Sequence, residues 1–339
     1  MHIGIFGSGA IGCFVGAHWA AAGCDVTLLG RRSILDGVAH ECLLAFVGVA
    51  QNGLTLSGLG DAQVPADRLT LTDDERALDQ VDAICVVVKG PSLDRAIQDL
   101  QDTPDTIPLI SLLNGLDPVR RLQKAFPNRT VVAGMVPFNV VWQSSNHLHR
   151  SGAGQFSLQS AAISEELAQT VSGSGVPIDL FKDLRPVQYG KLLLNLFNPI
   201  NALAGIPVHA MLSQRAYRRI GAAVLQEAID VYDAAGVNWV KVGPNNPRVG
   251  AKLLRSPNWL FNNTILRLQK IDKDTMTSMA GDYAAGKPTE IDILNGEIVK
   301  LAQDAGTSAP LNARLVDMIK GASQGSMSAK ALSAALGMT

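Results

Sequence analysis

The sequence predicts an α/β chain in two parts: a doubly wound N-terminal domain, then an all-helical domain. Three observations carry this. The first thirty residues read as strand, glycine-rich turn, helix and strand. Strand and helix signals then alternate to about residue 183. From about residue 184 to residue 323 the apolar spacing is helical, and several stretches end at glycine. A length of 339 residues accommodates two such domains.

The opening stretch, MHIGIFGSGAIGCFVGAHWAAAGCDVTLLGRR, is neither a secretion signal nor a membrane span. No Lys or Arg precedes Arg31, and glycines interrupt the apolar run, with His18 inside it. HIGIF is a short apolar strand that runs into Gly7-Ser8-Gly9-Ala10-Ile11-Gly12. CFVGAHWAAAG follows as a helix closed by Gly23, and DVTLL is the second strand. A GxGxxG turn in this βαβ setting is the Rossmann-like dinucleotide signature. Gly7 permits the tight turn, Gly9 lets backbone approach a pyrophosphate, and Gly12 lets helix and strand pack closely. Ser8, Ala10 and Ile11 complete the loop, whose phosphate would meet the N–H groups of the helix start. The second strand ends LLGRRS, without the carboxylate that binds a ribose 2′-hydroxyl. Arg31 and Arg32 stand there instead, and guanidinium groups recognise phosphate, so the expected cofactor is NADP(H).

GLTLSG and DRLTL are the next strands. VDAICVVVKG is a buried parallel strand followed by the helix SLDRAIQDL, and TIPLISLLNG is another followed by PVRRLQKAF. TVVAGMVPFNVVW and GAGQFSLQS read as further strands, and VPIDLFKDL closes the domain at residue 183. Ligands of open α/β sheets lie at the carboxyl ends of strands, where Lys89 and Asn114 fall. His147 and His149 sit in SSNHLHR, which reads as a loop. Cys13, Cys24, Cys42 and Cys85 show no CxxC and no metal-ligand spacing, so they read as reduced thiols of a cytoplasmic protein with no metal site. A net charge of −1 argues against nucleic-acid and anionic-membrane partners.

In the helical part, YGKLLLNLFNPINALAG is strongly apolar yet repeats Lys191, Asn195 and Asn198 at spacings of four and seven. On one helix these point within about 60° of each other, a polar patch that needs a partner. Pro199 kinks or ends the helix nearby. In KPTEIDILNGEIVKLAQDAG, Thr289 suits an N-cap with Asp292 three residues on, which sets Glu290 in the first turn. The helix dipole keeps Glu290 ionised as an acceptor for a substrate hydroxyl, and Lys191 is the better general acid. Residues 324–339 are small and polar and read as a frayed tail.

At these residues the sequence resembles the ketopantoate reductase (2-dehydropantoate 2-reductase) family. The resemblance rests on GSGAIG, Arg31, VVVKG with Lys89, LLNGL with Asn114, GKLLLN with Lys191 and Asn195, and SM plus PTEID with Ser278 and Glu290. It implies an NADPH-binding domain followed by a helical domain like that of 6-phosphogluconate dehydrogenase. It implies hydride transfer to the C2 ketone of a small 2-oxo acid, 2-dehydropantoate going to pantoate in pantothenate biosynthesis. Lys191 then matches the catalytic lysine, Glu290 the acidic substrate-binding residue and Ser278 the serine that binds the substrate carboxylate. Lys89 and Asn114 match cofactor and substrate contacts, and Asn195 the first helix asparagine. The family's second helix asparagine lies eight residues after its lysine; Asn198 lies seven after Lys191. That shortening alters the pocket wall and leaves the role of Asn198 and the substrate open. The alternatives are reduction of a different 2-oxo or 2-hydroxy acid, and an NADP(H)-sensing protein without turnover. Cofactor and catalytic residues fall on different domains, so domain closure is expected; a homodimer is left open.

Overall fold

A computed structural model describes residues 1–30, 48–58, 60–152, 154–243, 246–268, 271, 273–321 and 325–338. The chain divides into two units, Met1–Leu184 and Arg185–Thr339.

The first unit is built outward from β1 (His2–Phe6), buried from Ile3 to Phe6 as a strand covered on both faces must be. The helix α1 (Ala10–Ala21) leads to β2 (Asp25–Leu29), which pairs parallel with β1. Beyond β2 lies β5 (Leu69–Thr72). On the other side of β1 come β6 (Ala83–Val86), β7 (Leu109–Ser111) and β8 (Val131–Met135), all parallel. The sheet is completed by β11 (Phe156–Gln159), antiparallel to β8, and β12 (Ile178–Phe181), giving the order β12-β11-β8-β7-β6-β1-β2-β5. The direction of winding reverses between β1 and β6, the position at which doubly wound sheets open a ligand crevice. Phe14 and Trp19 of α1 pack in one core with Phe156, the Trp19 and Phe156 rings meeting edge-on at 5.7 Å. A second core joins Phe6 to Leu93 of α2 (Leu93–Asp99) and Leu122 of α3 (Asp117–Ala125).

A second sheet stands outside the single-sheet expectation. It orders β4 (Ala62–Val64), β3 (Leu54–Ser57), β10 (His147–Ser151) and β9 (Asn139–Ser144). TVVAGMVPFNVVW is therefore two strands in two sheets, because Pro137 has no N–H for a ladder. His147 and His149 lie on a strand, not in a loop. Two residues apart, they share a face, and both hydrogen-bond the Ser57 hydroxyl, at 2.8 and 2.9 Å. Cys13, Cys24 and Cys85 are buried free thiols, and burial pushes the Cys85 thiol far up. Cys42 lies outside the described residues.

The second unit is helical, around the 20-residue helix Arg215–Ala234. Arg218 is fully buried on it. Its guanidinium donates to the carbonyls of Leu212, Leu254 and Ser256 and stacks over Phe261 at 4.2 Å. The tail departs from expectation. Ala329–Ala335 is a helix capped by the Ser328 hydroxyl, and Leu332 is fully buried. Met327 joins the tail to the body: its N–H donates to Leu203 and its carbonyl accepts from the Tyr217 hydroxyl. Alternating small and apolar residues look polar as a string, but they present one apolar face once helical. Among the described residues no helix is long and apolar enough to cross a membrane. None of their His, Cys, Asp or Glu groups is placed to hold a metal ion.

Leu332→Ala should destabilise the protein by about 2–5 kcal/mol, read as a lower denaturant midpoint. A change below about 1 kcal/mol, the size of an ordinary surface substitution, would show that the terminal helix is not part of the folded core.

Candidate active site

In the first unit the loop after β1 carries the three glycines, and the structure shows steric reasons for two of them. Gly7 has φ +118°, and a Cβ there would lie 2.9 Å from the Val87 carbonyl carbon. Only glycine lets the turn pass this close to the chain leaving β6. Gly9 caps α1, and a Cβ added there meets nothing within 4 Å, so its backbone faces open space. A Cβ on Gly12 would collide with the Gly7 carbonyl oxygen and approach Ile5 Cγ2 at 3.0 Å. Among the described residues no side chain caps α1 and no acid lies in its first turn, an arrangement suited to an anion at its leading N–H groups. The Ser8 hydroxyl is buried with no hydrogen-bond partner among the described residues. Ala10 and Ile11 open the helix and are half-buried. An uncapped, uncharged, glycine-walled helix start fits a pyrophosphate. Arg31 and Arg32 lie outside the described residues.

Lys89 and Asn114 follow the carboxyl ends of β6 and β7, the strands on the reversal side of β1. Lys89 is exposed and extended, at φ −71° and ψ 148°, before the turn Gly90–Ser92. Asn114 is half-buried and precedes Gly115 at φ +80°.

In the second unit, α5 (Arg185–Asn195) is the lysine helix; α4 of the first unit is Ala162–Thr170. Its early turns are pinned. The Val240 N–H donates to Pro186, the Tyr232 hydroxyl donates to the Tyr189 carbonyl, and the two tyrosine rings meet edge-on at 5.2 Å. Gly190 abuts the Val240 carbonyl too closely for any Cβ. Lys191 and Asn195, one turn apart, share a face of α5. Asn198 does not continue that helix. The chain breaks at Leu196–Phe197, and Asn198 opens α6 (Asn198–Ala204) with Pro199 in its first turn. Proline has no N–H to donate back into the preceding helix but suits the start of a new one.

Burial lowers the Lys191 pKa from 10.5 to about 8, and the Glu290 carboxylate opposes the fall. The two groups are therefore within electrostatic reach of each other, although far apart in sequence. Glu290 does not sit in an α-helical first turn, and Thr289 and Asp292 form no capping box. Glu290 precedes a short turn, Ile291–Ile293, whose first N–H donates to the Thr289 hydroxyl at 3.4 Å. Asp292 is exposed and pairs with Lys320 at 2.6 Å. With that carboxylate held outside, no N3 partner exists for the cap.

Ser278 is exposed at the start of Ser278–Ala284, a helix capped by the Thr277 hydroxyl. A residue the sequence reading passed over holds it. Asn201, fully buried on α6, accepts from the Thr277 N–H at 2.9 Å and donates to the Ile206 carbonyl at 2.7 Å. The signal was present, as Asn201 is a further amide in the same apolar stretch. A second buried amide network steadies the segment after Glu290. Asn295 donates to Asn312, which with Leu311 donates to the Glu227 carboxylate. Asn198 and Thr277 also line a partly open, mostly apolar cavity of about 330 Å³ within this unit.

The arrangement offers an ammonium that can release its proton near neutral pH, a carboxylate beside it, an amide one turn on and a hydroxyl at a helix start. Two family models match the chain: "Ketopantoate reductase PanE/ApbA" over residues 3–162 and its C-terminal counterpart over residues 183–323. The chain belongs to the ketopantoate reductase family. It is, like the family's named members, an oxidoreductase acting on CH–OH. It is similar to the 2-dehydropantoate 2-reductase of Pyrococcus horikoshii, 24% identical over 94% of this chain and 97% of that one. Its fold is similar to a ketopantoate reductase of Ralstonia eutropha JMP134, with a TM-score of 0.76 and 23% identity over 95% and 98% of the two chains. It is also similar to that of D-mandelate dehydrogenase with NADH and anilino(oxo)acetate, with a TM-score of 0.74 and 19% identity over 95% and 98%.

Glu290→Gln should drop the Lys191 pKa below about 8, because the carboxylate charge that favours the ammonium is gone. NMR titration of the lysine side chain checks this; an unchanged or higher value would separate the two residues.

Proposed function

We propose that this chain reduces the C2 ketone of a 2-oxo acid to the 2-hydroxy acid with NADPH, Lys191 acting as general acid. The observation that carries this is the Lys191 ammonium, lowered to about 8 by burial with Glu290 beside it. 2-Dehydropantoate, the substrate named for its relatives, is the first candidate. NADPH, when bound, supplies the hydride. The loop Gly7–Gly12 holds its pyrophosphate, Arg31 its 2′-phosphate, and Lys89 and Asn114 contact it from neighbouring strand ends. Ser278 takes the substrate carboxylate. As hydride reaches C2, negative charge grows on the ketone oxygen; Lys191 stabilises that charge and donates its proton there. Asn195, Asn198 and Glu290 orient the rest of the substrate. A pKa near the working pH is what a proton donor needs, whereas a protein that only senses NADP(H) needs none. A second reading keeps the mechanism and changes the acid. It is favoured by the apolar walls around Asn198.

Lys191→Ala should lower kcat by about 10²–10⁴-fold while NADPH affinity changes little, measured by NADPH absorbance and by titration. Intact turnover in that variant would remove the assignment. Reduction needs the protonated lysine, so kcat should be full below pH 7 and fall as pH rises through about 8; a rate that climbs across that range would reverse the lysine's role. Arg31→Ala should narrow the preference for NADPH over NADH, since the guanidinium pairs only with the 2′-phosphate. Equal loss with both cofactors would place Arg31 elsewhere.

A further inference from the structure

C2 of a 2-oxo acid carries three groups: the ketone oxygen, the carboxylate and the side chain. In the reading above the first two belong to Lys191 and Ser278. The third is decided by what adjoins both. Within the second unit a cavity of about 330 Å³ is lined by close chain neighbours of both, although Lys191 and Ser278 are not themselves among its lining residues. Leu194 on its wall is three residues from Lys191 on α5, hence on the same helix face. Thr277 on its wall immediately precedes Ser278. Val208, Gly250 and Phe261 belong to the remaining walls, and Asn198 and Thr277 are the only polar residues among the described lining. The Thr277 hydroxyl is engaged as a helix cap, accepting from the Ala280 N–H at 3.3 Å.

We infer that this cavity is the side-chain subsite of the reductase site, and that it selects 2-oxo acids with a bulky apolar substituent, branched or aromatic. The inference rests on the 2-oxo acid reading and deepens it. An apolar cavity of about 150 Å³ is enough to take up benzene, and this one is about twice that. A hydroxyl carried into such walls leaves water without an assured partner, whereas each added methylene gains by burial. A site built around a substrate hydroxyl rejects the analogue that lacks it by about 10⁴–10⁵-fold. Here the walls are mostly apolar, and among the described lining only the Asn198 amide and the Thr277 hydroxyl could meet such a group.

The test measures NADPH consumption by the full chain with pyruvate, 4-methyl-2-oxopentanoate, phenylglyoxylate, 2-dehydropantoate and 3,3-dimethyl-2-oxobutanoate. The last is 2-dehydropantoate without its hydroxyl. The expected kcat/KM is at least tenfold higher for the branched or aromatic acid than for pyruvate, and removing the hydroxyl costs no more than tenfold. Pyruvate matching the bulky acids, or a greater loss on removing the hydroxyl, overturns the subsite. Gly250→Leu narrows the cavity at a helical position where an added Cβ meets nothing within 4 Å. It should cut the advantage of the bulky acids over pyruvate by at least tenfold, with Gly250→Ala as the folding control in a thermal melt. A ratio unchanged in the folded variant also overturns the subsite; the unmodified protein's substrate ratios decide if the variant does not fold. No turnover of any acid would refute the reductase reading instead. Calorimetric titration with 4-methyl-2-oxopentanoate and pyruvate then decides the cavity: at least tenfold tighter binding of the branched acid sustains it, and equal affinities overturn it.

Discussion

A lysine ammonium partly desolvated by burial, with a carboxylate in electrostatic reach, is the constraint on which the second unit is organised. Desolvation disfavours the charged lysine, and a nearby carboxylate restores part of what burial removes. The balance leaves Lys191 at about 8, between the value of a free lysine and that of a neutralised one. Much of the surrounding structure keeps that balance in place. The Tyr189–Tyr232 contact and the Val240 hydrogen bond pin α5 ahead of the lysine. The Asn295–Asn312–Glu227 network steadies the helix that follows Glu290. The Asn295 amide nitrogen, the Asn312 amide and the Glu227 carboxylate are joined by hydrogen bonds, which hold orientations that an apolar contact alone would leave free.

The first unit meets a different requirement with different means. An anion needs backbone N–H groups with nothing in front of them. The chain provides this through glycine, where a side chain would either fill the space, as at Gly9, or force the turn open, as at Gly7 and Gly12. The loop lies where the sheet reverses its winding, beside the strand ends that carry Lys89 and Asn114. Position in the sheet and absence of side chains act together: neither glycine nor a strand end is a binding site alone.

Local patterns exposed much of this. The βαβ opening and its turn were readable because Gly7 adopts a positive φ and Gly12 abuts the Gly7 carbonyl within the same loop. The lysine helix was readable because polar residues interrupt an apolar run. The break between Asn195 and Asn198 was half-readable: Pro199 marks it, but spacing alone placed all three residues on one helix. The second sheet was not readable, since β3 and β10 pair across about half of the first unit's length. The terminal helix was missed because its small residues carry little signal until Leu332 finds a core. Asn201 was overlooked because a buried amide declares its partners only after folding.

The sequence by itself determined the two-part α/β organisation, the glycine-rich turn after the first strand and the residue types of the candidate site. Each depends on interactions between near neighbours along the chain. Only the tertiary structure decided that Glu290 stands within electrostatic reach of Lys191, that Asn198 opens a new helix, and that the space Asn198 lines is mostly apolar. Electrostatic pairing, packing and enclosed volume arise between residues distant in sequence, and their free energies exist only once the chain has brought those residues together.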